Sequence, residues 1–405
     1  MIAIAEKEKC CGCSACMNIC PVNAIEMLPD AQGFLYPFVN TEKCIDCGKC
    51  ESVCPILSYT PECEFEQEAY IIQHKDPEIL RDSTSGGAFT AIAKVILDRG
   101  GAVFGAGYGD NFHVIHRYTE DFEGLHIFRN SKYVQSDKKR IFTDVKKFLN
   151  DGKHVLFSGT PCEVEGLLNF LGDLRYSPLL LTVDIVCHAV PSPAVWNAYL
   201  NIISAENAED LRFRDKDKYG YLYSQFAVIR TKGLNSVYEG IETNIMMRAF
   251  FSNVCDRPSC YSCKFKKRYR RSDITLWDCW EVSKFSKKSG MFNQNAGITR
   301  ALVHSKKGSE IMTEALNYCI NDKISADDAV RYDANELTNS VVKDEERYGK
   351  FWAAFSNDAE ETLKSFFPIG IKVRLEAALR RIAFSTGIYS FVRRSYRKLF
   401  GQKKR

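Results

Sequence analysis

The 405-residue sequence predicts an α+β fold in three parts: a small cysteine-rich domain over residues 1–60, a mixed α/β body over 61–350, and a basic amphipathic segment over 351–405. Three observations carry this division. Nine of the 17 cysteines fall between residues 10 and 54. Past Pro61 the apolar runs alternate between strand-like and helix-like periods. Residues 366–405 then hold eleven Lys or Arg and one acid, Glu376, which leaves the rest of the chain net acidic.

A composition of 45% hydrophobic and 26% charged residues supplies a sizeable core and no long low-complexity block. No stretch reaches the roughly 18 consecutive apolar residues of a membrane span. Residues 1–20 mix acids, bases and thiols where a signal peptide needs an apolar run, so the predicted location is cytoplasmic. Disulfides are rare in that compartment, and clustered cysteines there point to metal or catalysis.

The N-terminal cysteines form two matching runs: Cys10-x2-Cys13-x2-Cys16-x3-Cys20-Pro21 and Cys44-x2-Cys47-x2-Cys50-x3-Cys54-Pro55. This is the spacing of a bacterial two-cluster ferredoxin, in which the fourth cysteine of each run serves the other cluster. One [4Fe–4S] cluster takes Cys10, Cys13, Cys16 and Cys54; the other takes Cys44, Cys47, Cys50 and Cys20. Thiolates are soft ligands suited to iron, and Gly12 and Gly48 suit a loop that must turn inside the spacing. Cys11 is a ninth thiol. It could replace Cys10 by a one-residue slip, but only Cys10 keeps the regular spacing. Structural zinc, which usually takes two CxxC pairs, is the rival reading. Two clusters in one small domain make a wire without saying what lies at either end.

In the body, Ser83-Thr84-Ser85-Gly86-Gly87 precedes an apolar-periodic run from Ala88 to Leu97, and Gly100-Gly101 stops it. Ser or Thr before such a run reads as a helix N-cap, and the double glycine as a helix end. A glycine-rich helix start also offers free N–H groups to a cofactor phosphate. Ala102–Tyr108 reads as a strand. His154–Phe157 is a second strand, followed by a turn and a helix opening near Cys162. Leu179–Val186 is a third, ending in Cys187-His188, and Pro191-Ser192-Pro193 opens a helix. Cys162 and Cys187 thus sit where strands end, a common place for site residues in α/β folds. Cys63 and Cys319 read as buried small hydrophobes. Cys260 and Cys263 form a CxxC, with Cys255 before it, inside a basic stretch that includes Lys264, Lys266, Lys267, Arg268, Arg270 and Arg271. Those bases could offset cluster charge, meet an acidic partner or form a solvated face.

Taken together, "STSGGAF" (83–89), "SKYVQSD" (131–137), "GTPCEVEGL" (159–167), "DIVCHAVPSPAVW" (184–196) and "RPSCYSCKF…SDIT" (257–275) resemble the beta-subunit family of coenzyme F-420 (8-hydroxy-5-deazaflavin) hydrogenases and dehydrogenases. The resemblance extends to about residue 310, and an N-terminal two-cluster ferredoxin is a common fusion in that family. It implies an FAD-binding body, a third [4Fe–4S] cluster, and an oxidoreductase that passes electrons between iron–sulfur centres and a hydride carrier or organic substrate. By the same resemblance Ser83, Ser85, Gly86 and Gly87 belong to the FAD site. Lys132, Tyr133 and Gln135 line the flavin pocket or active site. Cys162, Cys187, Cys260 and Cys263 ligate the third cluster, with Cys255 competing with Cys162. Lys132 is the candidate proton donor or flavin contact. His188 is the other candidate catalytic group, acting as a donor to sulfur or flavin.

The chain departs from the family pattern at Trp277-Asp278-Cys279-Trp280-Glu281, at Ala189 and at Gln294-Asn295-Ala296-Gly297. These departures weaken the case for the deazaflavin as partner. Similar fused proteins occur in bacterial polysaccharide gene clusters, which makes a nucleotide-linked or lipid-linked sugar the alternative substrate. The expected electron donor is a redox partner protein or reduced ferredoxin; an electron-transfer subunit serving a partner enzyme is the rival function. Residues 366–405 interleave aromatic and aliphatic side chains with bases, the pattern of a segment that touches an anionic membrane surface, here the inner face. No nucleic-acid recognition motif accompanies the charge.

Overall fold

The computed structural model describes residues 1–4, 6–230, 235–332 and 335–389. The N-terminal domain is built on the hairpin β1 (Ile25–Pro29) and β2 (Leu35–Val39), with short helices Ala15–Ile19 and Lys49–Ser52 following the two cysteine loops. Gly12 and Gly48 both take positive φ (69°), so the turning role read from the sequence holds at both loops.

The body begins with β3 (Glu68–His74), β4 (Ala102–Tyr108), β5 (Val114–Thr119), β6 (Val155–Gly159) and β7 (Leu180–Ile185). Then come β8 (Ala208–Asp215), β9 (Gln225–Arg230) and β10 (Val237–Glu239), a separate antiparallel sheet. β11 (Ile274–Asp278), β12 (Thr299–Val303) and β13 (Cys319–Ile324) complete an eight-stranded sheet of order β13-β3-β12-β11-β7-β6-β4-β5. Its centre, β4-β6-β7-β11, is parallel, and the flanking strands pair antiparallel.

Alternating side chains feed two cores. Val103, Leu156 and Leu181 face the helices Ala88–Asp98 and Lys306–Ala315; Phe104, Phe157 and Leu180 face Ile141–Asn150 and Pro161–Leu171. A sheet covered on both faces explains why these strands read as continuous apolar runs.

The helix at Ala88 is capped differently from the sequence expectation. Its N-cap is Gly87, left-handed at φ 76° and without a side-chain cap, not a Ser or Thr. At its far end Gly100 and Gly101 donate to Leu97 and Ile96, the glycine stop that was expected. Cys319 is buried as expected, but Cys63 is exposed in a segment outside the named elements. Residues 366–389 include the helix Ile371–Ser385; the rest of the basic segment lies outside the described residues. Among the described residues no helix is long and apolar enough to cross a membrane.

Candidate functional site

Two cavities open in the N-terminal domain. Cys10, Cys13, Cys16 and Cys54 line one, with Cys11 and the apolar side chains of Ile2, Ile4, Met27 and Ile56. Cys20, Cys44, Cys47 and Cys50 line the other, with Val22, Ile25 and Val39. Each therefore takes three thiols from one run and the fourth from the other, the exchange that the spacing requires. Backbone amides point at the sulfurs: Ile2 N lies 3.3 Å from Cys50 Sγ and Ala24 N 3.2 Å from Cys20 Sγ. Burial, with neighbouring thiols, pushes Cys16 up to about 12. Four thiolates can share such a space only around cations, and an iron cluster meets that need. The thiols are spread around the cavities: among the described residues no three His, Cys, Asp or Glu converge on a position for a single ion.

The body brings a second set of thiols together at the carboxyl edge of the parallel strands. Cys162 lies in the first turn of the helix after β6, whose N-cap Thr160 and Glu163 form a capping box. Cys187 follows β7, and the short turn Pro258–Ser262 carries Cys260 with Cys263 beside it. Burial raises Cys260, and the charges of Cys187, Cys263 and Cys162 add to the effect; burial with Cys162 raises Cys263 to about 11. Cys255 points elsewhere, into an apolar core with Met246 and Phe250. Of the two competitors, Cys162 shares the space.

The basic stretch beside this group is largely an internal scaffold. Lys267 pairs with Glu165 at 2.9 Å, Arg270 with Asp184 at 3.1 Å and Arg271 with Glu165 at 2.7 Å. Lys266 donates to the carbonyls of Cys187 and His188. The His188 ring hydrogen-bonds through Nε2 to Asn253 (2.9 Å), and its Nδ1 is 3.7 Å from Glu336. Its partners in the protein are thus an amide and a carboxylate.

The Ser83–Gly87 loop lies at the same edge. Ser85 Oγ donates to the Ile298 carbonyl (2.6 Å), and Gly86 N donates to Thr299 Oγ1 (2.9 Å). A Cβ on Gly86 would stand 2.4 Å from the Ile72 carbonyl, so this glycine lets the loop lie against β3 and β12. Lys216 Nζ donates to the carbonyls of Ser85 (2.9 Å) and Ala296 (2.7 Å), and burial brings it down to about 7. Arg214 pairs with Asp278 (3.2 Å) and lies over Trp280, which stacks on Tyr221. The unusual Trp277–Glu281 segment therefore builds this cluster. Arg129 Nε, Arg214 Nη2 and Asp215 Oδ2 are buried without a hydrogen-bond partner.

Lys132, Tyr133 and Gln135 have different partners. Lys132 is half-buried; its Nζ donates to the carbonyls of Ile127 (2.7 Å) and Arg129 (2.9 Å), and desolvation lowers it to about 7. Tyr133 stacks on Phe250 and reaches Arg214 at 3.4 Å. Gln135 lies at the domain junction instead. Its Oε1 accepts from Arg257 (3.0 Å), whose guanidinium also donates to the carbonyls of Cys10 (2.8 Å) and Leu35 (3.0 Å).

Comparison with known proteins matches residues 9–56 to the 4Fe-4S dicluster domain. Residues 152–327 match the family described as the C terminus of the coenzyme F420 hydrogenase/dehydrogenase beta subunit. Over those residues the chain is similar to the beta-subunit family. No curated protein matches it. Among solved structures, a chain of the F420-reducing [NiFe] hydrogenase complex from Methanosarcina barkeri is similar at 17% identity, covering 76% of this chain and 94% of that chain with a TM-score of 0.43.

This beta-subunit relative is an iron–sulfur electron-transfer protein by its dicluster domain. Sequence reasoning missed Arg257 as the domain latch, and Arg214 and Lys216 beside the Ser85 loop. Isolated bases carry no local signal; only the fold brings them to their partners.

Proposed function

We propose that the protein is an FAD- and iron–sulfur-dependent oxidoreductase in which electrons cross from the two ferredoxin clusters to a third body cluster and then to FAD. The observation that supports this reading is that Cys162 and Cys187 follow parallel strands at one edge of the sheet, with Cys260 and Cys263 near enough for the four thiols to affect one another's ionisation. The helix bearing Cys162 packs on the first ferredoxin cavity so closely that a Cβ on Gly166 would lie 2.8 Å from Cys13 Sγ. These four thiols would hold the third cluster. Ser83 and Ser85 with Arg214 and Arg129 would hold an anionic part of FAD, a fit supported by the unpartnered Arg129 Nε and Arg214 Nη2. When bound, FAD couples two-electron substrate chemistry to one-electron clusters. Lys132, half protonated near neutrality, can deliver a proton from a water-poor position.

The substrate we favour is a nucleotide-linked or lipid-linked sugar of polysaccharide synthesis; the deazaflavin is the alternative. The helix Ile371–Ser385 supports contact with a lipid surface, because Ile371, Leu375, Leu379 and Ile382 are exposed among Lys372, Arg374 and Arg381. Sedimentation with anionic vesicles tests this contact, and Leu375→Glu with Leu379→Glu abolishes it if this stripe is the anchor. A second reading, an electron-transfer subunit for a partner enzyme, draws support from the exposed second ferredoxin cavity.

Anaerobic purification with iron and flavin counted per chain decides between these. About twelve irons with one FAD support the three-cluster flavoenzyme. About eight irons without flavin reject it and leave the dicluster domain alone as the redox module.

A further inference from the structure

We infer that the helix Ile371–Ser385 and the loop 216–223 form one membrane-docking unit: an anionic bilayer that binds the helix also fixes the loop that lines the Ser85 cluster. This rests on the lipid contact proposed above and adds a route from it into the body. The helix carries its apolar stripe on the outside. Ile371 is 87% exposed, Leu375 and Leu379 59% and Ile382 57%, and these positions fall on one face at helical spacing. The opposite face holds Ala377 and Ala383, both buried, and Arg380, which pairs with Glu242 at 3.4 Å.

Charge selects what covers the stripe. Lys372 borders it on one side and Arg374 and Arg381 on the other, all three exposed. Seven further Lys or Arg and no acid follow between residues 390 and 405. A second copy of the chain would bring the same bases face to face, where like charges repel. Anionic headgroups offset those bases while the acyl boundary takes the apolar side chains.

The inner face of the helix meets the loop between β8 and β9. Phe384 packs against Tyr219 and Tyr223, with ring centres 5.8 Å apart in each pair. The Tyr223 hydroxyl donates to Glu242, the carboxylate that also pairs with Arg380. Other residues of the same loop face the cluster. Lys216 Nζ donates to the Ser85 carbonyl (2.9 Å), and Tyr221 donates to Asp278 (2.8 Å) and stacks on Trp280 at 4.4 Å. Gly220, at φ 69°, lies against Asn295, whose Oδ1 accepts from Leu222 N (3.2 Å). The loop is thus held by the helix on one side and by the cluster on the other. A helix pressed onto a lipid surface restrains the loop behind it, and with it Lys216 and Tyr221.

The test reads backbone hydrogen exchange in the full, anaerobically purified protein, with vesicles of phosphatidylcholine alone or mixed with phosphatidylglycerol. Anionic vesicles should slow exchange in both 371–385 and 216–223, and phosphatidylcholine alone should slow neither. Phe384→Ala, which removes the ring between helix and loop, should still sediment with anionic vesicles and lose the slowing at 216–223. Slowing confined to the helix in the wild-type protein would overturn the inference and leave the lipid contact standing. No slowing anywhere with anionic vesicles would overturn both. Helix protection that appears without vesicles and grows with protein concentration would make a second copy the occupant, and that too overturns it. Flavin counted on the same preparation keeps the readings apart: its absence defeats the flavoenzyme and leaves the exchange result intact.

Discussion

The two thiol cavities of the N-terminal domain are near-copies in sequence and opposites in setting. Cys13, Cys16 and Cys54 of the first are buried, and its loop is clasped by Arg257 and packed under the helix that carries Cys162. Cys47 of the second is exposed, and Ile45 at its mouth is 62% exposed. Equal ligand chemistry therefore gives unequal roles. One cavity looks inward to the body, and the other is the face that a protein donor or acceptor can approach. On the path proposed above, the domain is a wire with an inner and an outer end.

The largest expected effect tests that polarity. Cys13→Ser and Cys47→Ser should each remove a cluster, about four irons per chain. The two should then separate: Cys13→Ser should abolish electron delivery to the body from any donor. Cys47→Ser should lose delivery from protein donors while small reductants still reach the first cluster. Stopped-flow reduction with a ferredoxin and with dithionite distinguishes them. Equal loss with both donors would show that the two ends are not distinct.

Next in size is the latch. Arg257→Ala leaves the carbonyls of Cys10 and Leu35 and the Gln135 side chain without their charged donor at a buried junction. Each such bond is worth about 1.5–3 kcal/mol and losses within one network do not add fully, so the contact between domains should weaken by about 3–5 kcal/mol. Proteolysis in the 57–67 connection, followed by mass spectrometry, should show earlier cleavage, and Arg257→Lys should restore little because it cannot reproduce the fork. No matching penalty is expected from exposed Lys49, on the other cavity.

The Lys132 prediction concerns the far end of the path. A lysine brought down to about 7 by burial is protonated below that pH and neutral above it. If it supplies the proton in substrate reduction, kcat should fall as pH rises through about 7, and Lys132→Met should be slow and lose that limb. Cluster reduction, which needs no proton from Lys132, should keep its pH profile.

What the sequence made legible was local, and what it hid was brought together by the fold. The cysteine runs announce both cavities because each three-cysteine loop is a few residues long. The strands ending before Cys162 and Cys187 were legible for the same reason, through continuous apolar runs bounded by turns. By contrast, Gln135 and Arg257 meet across 122 residues. The bases at 264–271 read as much like a surface as a scaffold because Glu165 and Asp184 lie roughly a hundred positions away. The antiparallel pairing of β3, β12 and β13 around a parallel centre likewise depends on chain crossings that no single segment encodes.

The smallest structural effect should come from Ile45→Gln, and it sharpens the comparison most directly. Ile45 loses little burial on substitution, so stability should move by no more than about 0.5 kcal/mol. Its apolar surface nevertheless lies beside Cys44 and Cys47 at the outer cavity, where a protein partner must desolvate to bring its own centre close. Removing an apolar side chain there should raise the concentration of ferredoxin needed for half-maximal reduction while the dithionite rate and the iron content stay unchanged. A substitution of the same kind on the inner side, Met27→Gln in the lining of the first cavity, should do the reverse, costing iron and stability before it alters partner use. If instead Ile45→Gln leaves ferredoxin dependence untouched, the donor approaches elsewhere, and exposure of the second cavity is a consequence of domain docking and not its purpose.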